Sequence, residues 1–192
     1  MGTSNEDRAK AAVLPEGDVI RMLLEQHAQI RDLFATVKAA SGEEKKTAFD
    51  DLRTLLAVHE TAEELVLRPV TSRLGGEGVA EARNAEEAEA NEVLAELEKL
   101  DVGSADFDTR IAAFETSVDE HAEAEEHEEF GLILEGCEVD ERRQLGTKIK
   151  AAEAVGPTHP HPSVEPSSTT QKAVGPFAGI IDRVKDAIGK AG

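Results

Sequence analysis

The chain has no tryptophan, no tyrosine and one cysteine among its 192 residues. With Cys137 alone, an internal disulfide and a cysteine-rich metal motif are both excluded, and a reducing, cytoplasmic setting is expected. Positive charge is scarce: 21 Lys and Arg stand against 40 Asp and Glu, a formal charge of −19. Nucleic-acid backbones and anionic membranes both select a clustered basic surface, so neither is an expected partner. Long apolar runs are missing as well. The opening MGTSNEDRAKAAVLPEG has no apolar stretch of signal-peptide length, and no segment approaches a membrane span; a soluble protein that stays inside the cell is the expectation.

What is abundant is Ala, Glu and Leu, residues that lose little side-chain freedom in a helix. The length suffices for one domain with a real core, plus tails. Four helical stretches are predicted, at Asp18–Ala40, Glu43–Arg73, Val79–Leu100 and Asp106–Leu134, with Asp18 and Ser41 placed as N-caps. The interruptions Ser41-Gly42, Leu74-Gly75-Gly76 and Asp101-Val102-Gly103-Ser104 are short. Such connections force antiparallel neighbours, so the fold class is all-α, an up-down-up-down four-helix bundle with a C-terminal extension. Residues 1–17 are expected to be a flexible segment and 18–155 the bundle, including a further helix near Val139–Ala154 with a weak apolar stripe. Four prolines between Gly156 and Thr170 mark residues 156–171 as an extended linker. Beyond it, Phe177, Ile180, Ile181, Val184 and Ile188 recur at helical spacing, predicting a short amphipathic helix within 172–192.

The inward seams of the bundle helices carry chemistry. Helix one presents Ile20, Leu23, His27, Ile30, Phe34 and Val37; helix two presents Leu52, Leu56, His59, Glu63, Val66 and Val70. Helix four repeats the theme with Phe114, Val118, His121, Glu125, Glu128 and Leu132, and Glu86 or Glu87 interrupts the stripe of helix three. His59/Glu63 and His121/Glu125 share the spelling H-x-x-x-E. A four-residue step turns a helix by only about 40° from alignment, so both members of a pair project from one face. Depth agrees: Glu63 and Glu87 lie about 12 residues either side of the Gly75 turn, and Glu87 and His121 about 17 either side of Ser104. His27 and His59 differ by roughly 5 Å about the Gly42 turn, which one more helical turn or tilt absorbs.

Buried unpaired carboxylates cost several kcal/mol each, and three imidazoles offset only part of that. A pair of divalent or trivalent cations removes the cost, and a donor set of carboxylates and imidazoles suits iron or manganese better than zinc. The predicted ligands are His27, His59, Glu63, Glu86 or Glu87, His121 and Glu125.

Three segments, DVIRMLLEQHAQIRDLF, HETAEELVLRPV and HAEAEEHEEFGLIL, resemble the first, second and fourth helices of hemerythrin-like (HHE cation-binding) domains. The resemblance spans about residues 18–150 and implies a four-helix bundle with a non-haem di-iron centre, two irons per chain, held by His27, His59, Glu63, His121 and Glu125. The PTHPHP tail and the helix after it look like actinobacterial members, and mycobacterial relatives are associated with catalase-like peroxide breakdown. One departure stands out. Oxygen-carrying hemerythrins present two histidines on helix three, where this chain has Glu86 and Glu87 and no histidine between His59 and His121. Anionic oxygen ligands stabilise the higher oxidation state, which disfavours reversible dioxygen carriage. Oxidation, peroxide turnover or sensing gains weight, and the similarity to mycobacterial relatives makes peroxide decomposition the leading expectation, with an oxygen, nitric oxide or iron sensor as the alternative and a metal-free helical interaction protein as a third reading. Glu60, Glu64 and Glu126 are candidate proton relays. His127 is read as a surface residue, His159 and His161 as part of a solvated linker, and Cys137 as a packed thiol.

Overall fold

The computed structural model describes residues 2–155 and 187–191, and no strand occurs among them. Helix α1 spans Ser4–Ala12 and α2 spans Val19–Ala39. The second rod of the bundle runs from α3, Gly42–Ala62, through a π-helical turn at Glu63–Leu67 into α4, Arg68–Arg73. Helix α5, Glu77–Leu97, returns. The fourth rod joins α6, Ala105–Ala124, through a second π-turn at Glu125–Glu129 to α7, Phe130–Gly136. Helix α8, Val139–Glu153, closes the described body. The result is the all-α four-helix bundle that the sequence predicts, with each of the four bundle helices and the helix near Val139 reproduced to within a few residues. The linker expected at 156–171 and most of the expected C-terminal helix lie outside the described residues; residues 187–190 are helical, and Ile188 packs against the core.

Local chemistry sets the ends. Asp18 accepts from the Ile20 amide at 3.0 Å, capping α2, and its second oxygen receives Arg142 Nε at 2.7 Å. One buried aspartate thus starts the first rod and pins α8 to it. Ser104 caps α6 through the Phe107 amide. Ser41 occupies the N-cap position of α3, yet its side chain makes no capping bond. The Gly75 turn needs glycine, since its φ of +89° is costly for other residues.

The N-terminal segment departs from expectation. Instead of a flexible stretch, Ser4–Ala12 is helical, started by a capping box between Thr3 and Glu6. It is held down by burial of Ala11 and by Asp7, which accepts a hydrogen bond from Arg31 Nη1. Polar composition hides this docking, because the anchor is an ion pair rather than an apolar stripe.

Apolar burial falls into two clusters. One gathers Leu23, Leu24, Leu67, Phe130, Ile133 and Ile149 at the end covered by α1 and α8. The other gathers Phe34, Phe49, Leu52, Leu97, Phe107 and Phe114 at the opposite end, with edge-to-face ring pairs Phe49–Phe107 and Phe34–Phe114 at 5.0 and 5.8 Å. Between them lies a layer of buried polar side chains. His27 falls between Leu24 of one cluster and Ile30 of the other, and His59 between Ala62 and Leu56.

Candidate metal centre

Two donor groups meet in that middle layer. His27, His59, Glu63 and Glu125 offer ligand atoms all within 4.8 Å of one another; so do Glu63, Glu87, His121 and Glu125. Glu63 and Glu125 belong to both. Across the first group, His27 Nε2 lies 3.3 Å from Glu125 Oε2, and His59 Nε2 lies 3.3 Å from Glu63 Oε2. Across the second, His121 Nε2 lies 3.3 Å from Glu125 Oε1 and 3.9 Å from Glu87 Oε1. All four rods contribute, as the depth argument requires. Of the seven residues singled out in the sequence, the structure brings six together and leaves Glu86 outside.

Glu86 has another position. Its Oε2 lies 2.8 Å from His121 Nδ1. His59 Nδ1 faces Gln26 Oε1 at 2.7 Å, and His27 Nδ1 faces Glu126 Oε1 at 3.2 Å. Every imidazole of the cluster therefore has its Nδ1 held by an outer oxygen while its Nε2 points into the cluster. An oxygen acceptor on Nδ1 places the proton there and leaves the Nε2 lone pair free to bind a cation. The outer oxygens are themselves anchored: Gln26 donates to Glu153 of α8, and Glu126 receives Lys10 of α1.

Several inner atoms have nothing else to do. His27 Nε2, His121 Nε2, both oxygens of Glu63 and Glu125 Oε2 are buried without a hydrogen-bond partner. Such groups cost of order 1–3 kcal/mol each, more when charged, and a coordinated metal ion satisfies them together. The donor set of imidazole nitrogens and carboxylate oxygens fits iron or manganese.

Burial and the neighbouring charges shift the protonation of these groups. Burial pushes Glu63 well above the usual carboxylate range, with the Glu125 charge adding to it. Burial raises Glu87 to about 7 against the pull of Arg68. At His121 burial favours the neutral ring, but the Glu125 and Glu87 carboxylates outweigh it and hold the imidazolium up to about 9. His59, desolvated and beside His27, is pushed down to about 3.

One buried cation escaped the sequence reading. Arg68 donates through Nη2 to Glu87 and to Glu125, the latter at 2.5 Å, and through Nη1 to Glu129, which also receives Thr71 Oγ1. The reason is helical register. Arg68 comes five residues after Glu63, which in an α-helix is about 140° off the face. In the π-turn the Arg68 amide bonds to the Glu63 carbonyl, an i to i+5 bond, and the two side chains align. The Phe130 amide bonds to the Glu125 carbonyl in the same way. The inward seams shift accordingly: Glu129 and Ile133 are buried where Glu128 and Leu132 were expected, and Leu67, Arg68 and Thr71 line the second rod where Val70 was expected. Pro69 is the one signal available in the sequence, because its missing N–H cannot close an ordinary α-turn; nothing comparable marks the second π-turn.

A cavity of about 300 Å³ reaches the layer between α5 and α6. It is lined by His27, His59, Glu87 and His121 of the cluster, by the apolar Ile30, Leu56, Ala90, Phe114 and Val118, and by polar residues that include Arg31, Glu60, Glu89, Asp119 and Glu120. Of the relay candidates, Glu60 lies on the cavity and receives Asn91 Nδ2 at 2.8 Å, Glu126 holds His27, and Glu64 is exposed. His127 is exposed, Cys137 is buried, and His159 and His161 lie outside the described residues.

A helical bundle whose four rods converge on buried His and Glu donors defines a cation-binding class of protein. The hemerythrin HHE cation-binding domain model matches residues 18–133, and the chain belongs to this family. Among curated proteins it is similar to an uncharacterized hemerythrin-like protein of Schizosaccharomyces pombe, 23% identical over 172 residues that cover 88% of this chain and 85% of that protein. No solved structure matches the chain significantly. No helix among the described residues is long and apolar enough to cross a membrane.

Proposed function

We propose that the chain binds a pair of iron ions between His27, His59, Glu63, Glu87, His121 and Glu125 and decomposes hydrogen peroxide in the cytoplasm, protecting against oxidative or nitrosative stress. The observation that carries the reading is the set of buried Nε2 and carboxylate atoms without partners, all converging on two donor groups that share Glu63 and Glu125. A bound iron pair supplies two-electron redox chemistry, so that one peroxide is reduced to water while another is oxidised to dioxygen, with no outside reductant.

The protein residues supply position, access and protons. Glu63 and Glu125 fix the separation of the two donor groups. The cavity gives a small molecule access to the His121 side of the cluster between apolar and charged residues. Glu60 holds a proton at its carboxyl oxygen, since burial and the nearby Glu87 charge raise it well above the usual range, and it faces the cavity where a proton is needed for O–O cleavage.

A second reading, an oxygen, nitric oxide or iron sensor, is favoured by the anchoring of His27 and His59 to appended helices through Glu126–Lys10 and Gln26–Glu153. One experiment separates them. Purified protein is assayed for bound iron and for dioxygen release from peroxide, alongside His59→Ala and the exposed His127→Ala. About two irons per chain are expected, with turnover lost in the first variant and kept in the second. Iron uptake with a reversible spectral change on oxygen addition, but negligible peroxide consumption, selects the sensor. Equal turnover in both variants removes the site assignment.

A further inference from the structure

Arg68 is not placed evenly between the two donor groups. Its Nη2 contacts Glu87 Oε1 and Glu125 Oε1, the two oxygens that face His121 Nε2. Glu63, which both groups share, is farther off: its Oε2, the oxygen that faces His59 Nε2, lies 3.6 Å from Arg68 Nη2. The oxygen of Glu125 that faces His27 is Oε2, and Arg68 makes no hydrogen bond to it. A guanidinium therefore hydrogen-bonds the oxygen ligands of the His121 half, while in the His27/His59 half it reaches only Glu63 Oε2 and makes no hydrogen bond there.

We propose that Arg68 is a built-in competitor for metal: it makes the two halves unequal, so that the His27/His59 half loads first and the His121 half loads only as Arg68 withdraws toward Glu129. This rests on the metal-binding reading above. The balance of charge supports it. Glu63, Glu87, Glu125 and Glu129 are four buried carboxyl groups around one buried guanidinium, so a first cation that displaces the protons held in the metal-free cluster still meets an excess of oxygen ligands. A second cation must take Glu87 Oε1 and Glu125 Oε1 from a group that cannot lose its charge. Glu129 offers the guanidinium somewhere to go, because it already holds Nη1 and is itself fixed by Thr71. Arg68 is thus a positioning residue acting through Glu87 and Glu125, not a ligand.

The test is titration of the full metal-free chain with cobalt(II), monitored by visible absorption and by calorimetry. Wild type is expected to take one ion tightly and a second at least tenfold more weakly. Arg68→Gln is expected to strengthen the second step at least tenfold and leave the first within about threefold, with Arg68→Lys between them. Should Arg68→Gln fail to fold, Glu129→Gln decides: without its retreat the guanidinium competes harder, and the second step weakens severalfold. Two indistinguishable steps in wild type overturn the inference alone. So does a second step unmoved by whichever of these two variants folds. A wild-type chain that takes up no ion at all overturns the metal reading, and the inference falls with it.

Discussion

Gln26 shows what a residue outside the cluster does for it. Its amide oxygen fixes His59 Nδ1 at 2.7 Å while its amide nitrogen reaches Glu153. Gln26→Leu removes the oxygen without emptying the space, and metal affinity is expected to fall about 10- to 100-fold, measured by competition with a chromophoric chelator; an unchanged affinity contradicts the anchoring role. Protons give a second prediction. In the metal-free protein His121 is held up to about 9 and Glu87 up to about 7, both above their unfolded values near 6.5 and 4.5. A raised folded pKa contributes stability at low pH, and that contribution fades as pH climbs from the unfolded value through the folded one. Metal-free protein is therefore expected to lose stability between pH 5 and 9, while metal affinity rises across the same interval because the bound protons must leave. Urea midpoints with chelator present, set against metal titrations at the same pH values, check both slopes.

At the scale of elements, α8 is a structural buttress. A Cβ added at Gly146 runs into the Gly17 carbonyl oxygen and presses on Met22 Sδ at 3.1 Å, so Gly146→Ala is expected to cost about 1–3 kcal/mol in urea unfolding. Much of the bundle is legible in the amino-acid order. Asp18, the short turns and the three-and-four spacing of Leu23, His27, Ile30 and Phe34 specify the first rod residue by residue. The His and Glu donors are legible because a four-residue step aligns side chains and each pair ends at the first residue of a π-turn. The residues C-terminal to each pair are not, since the rods change period at Glu63 and Glu125 and move Arg68, Thr71 and Glu129 inward. The choice between Glu86 and Glu87 also needs coordinates: adjacent residues differ by about 100°, and only the position of His121 shows which turns inward. Helix α1 is hidden in the sequence because its hold on the bundle runs through Asp7 and Arg31.

For the whole molecule, the consequence is a body of two apolar ends joined by a charged waist. Dispersion and burial hold each end, whereas the waist depends on neutralising its carboxylates. Stripping metal is accordingly expected to speed amide exchange first in Glu63–Leu67 and Glu125–Glu129, with Phe34, Phe49 and Phe107 at the far end protected much as before; uniform acceleration throughout contradicts this division. The π-turns also decide which changes of length the rods tolerate. Each is in effect one additional residue accommodated within an otherwise regular rod. Dropping a single residue between Glu64 and Leu67 would place Arg68 four residues after Glu63, the ordinary α-helical register that keeps both side chains on one face. A one-residue deletion there can therefore erase the π-turn and still keep Arg68 and Thr71 facing the donors, whereas a deletion on the far side of Thr71 would leave the cluster whole and turn the rest of the rod.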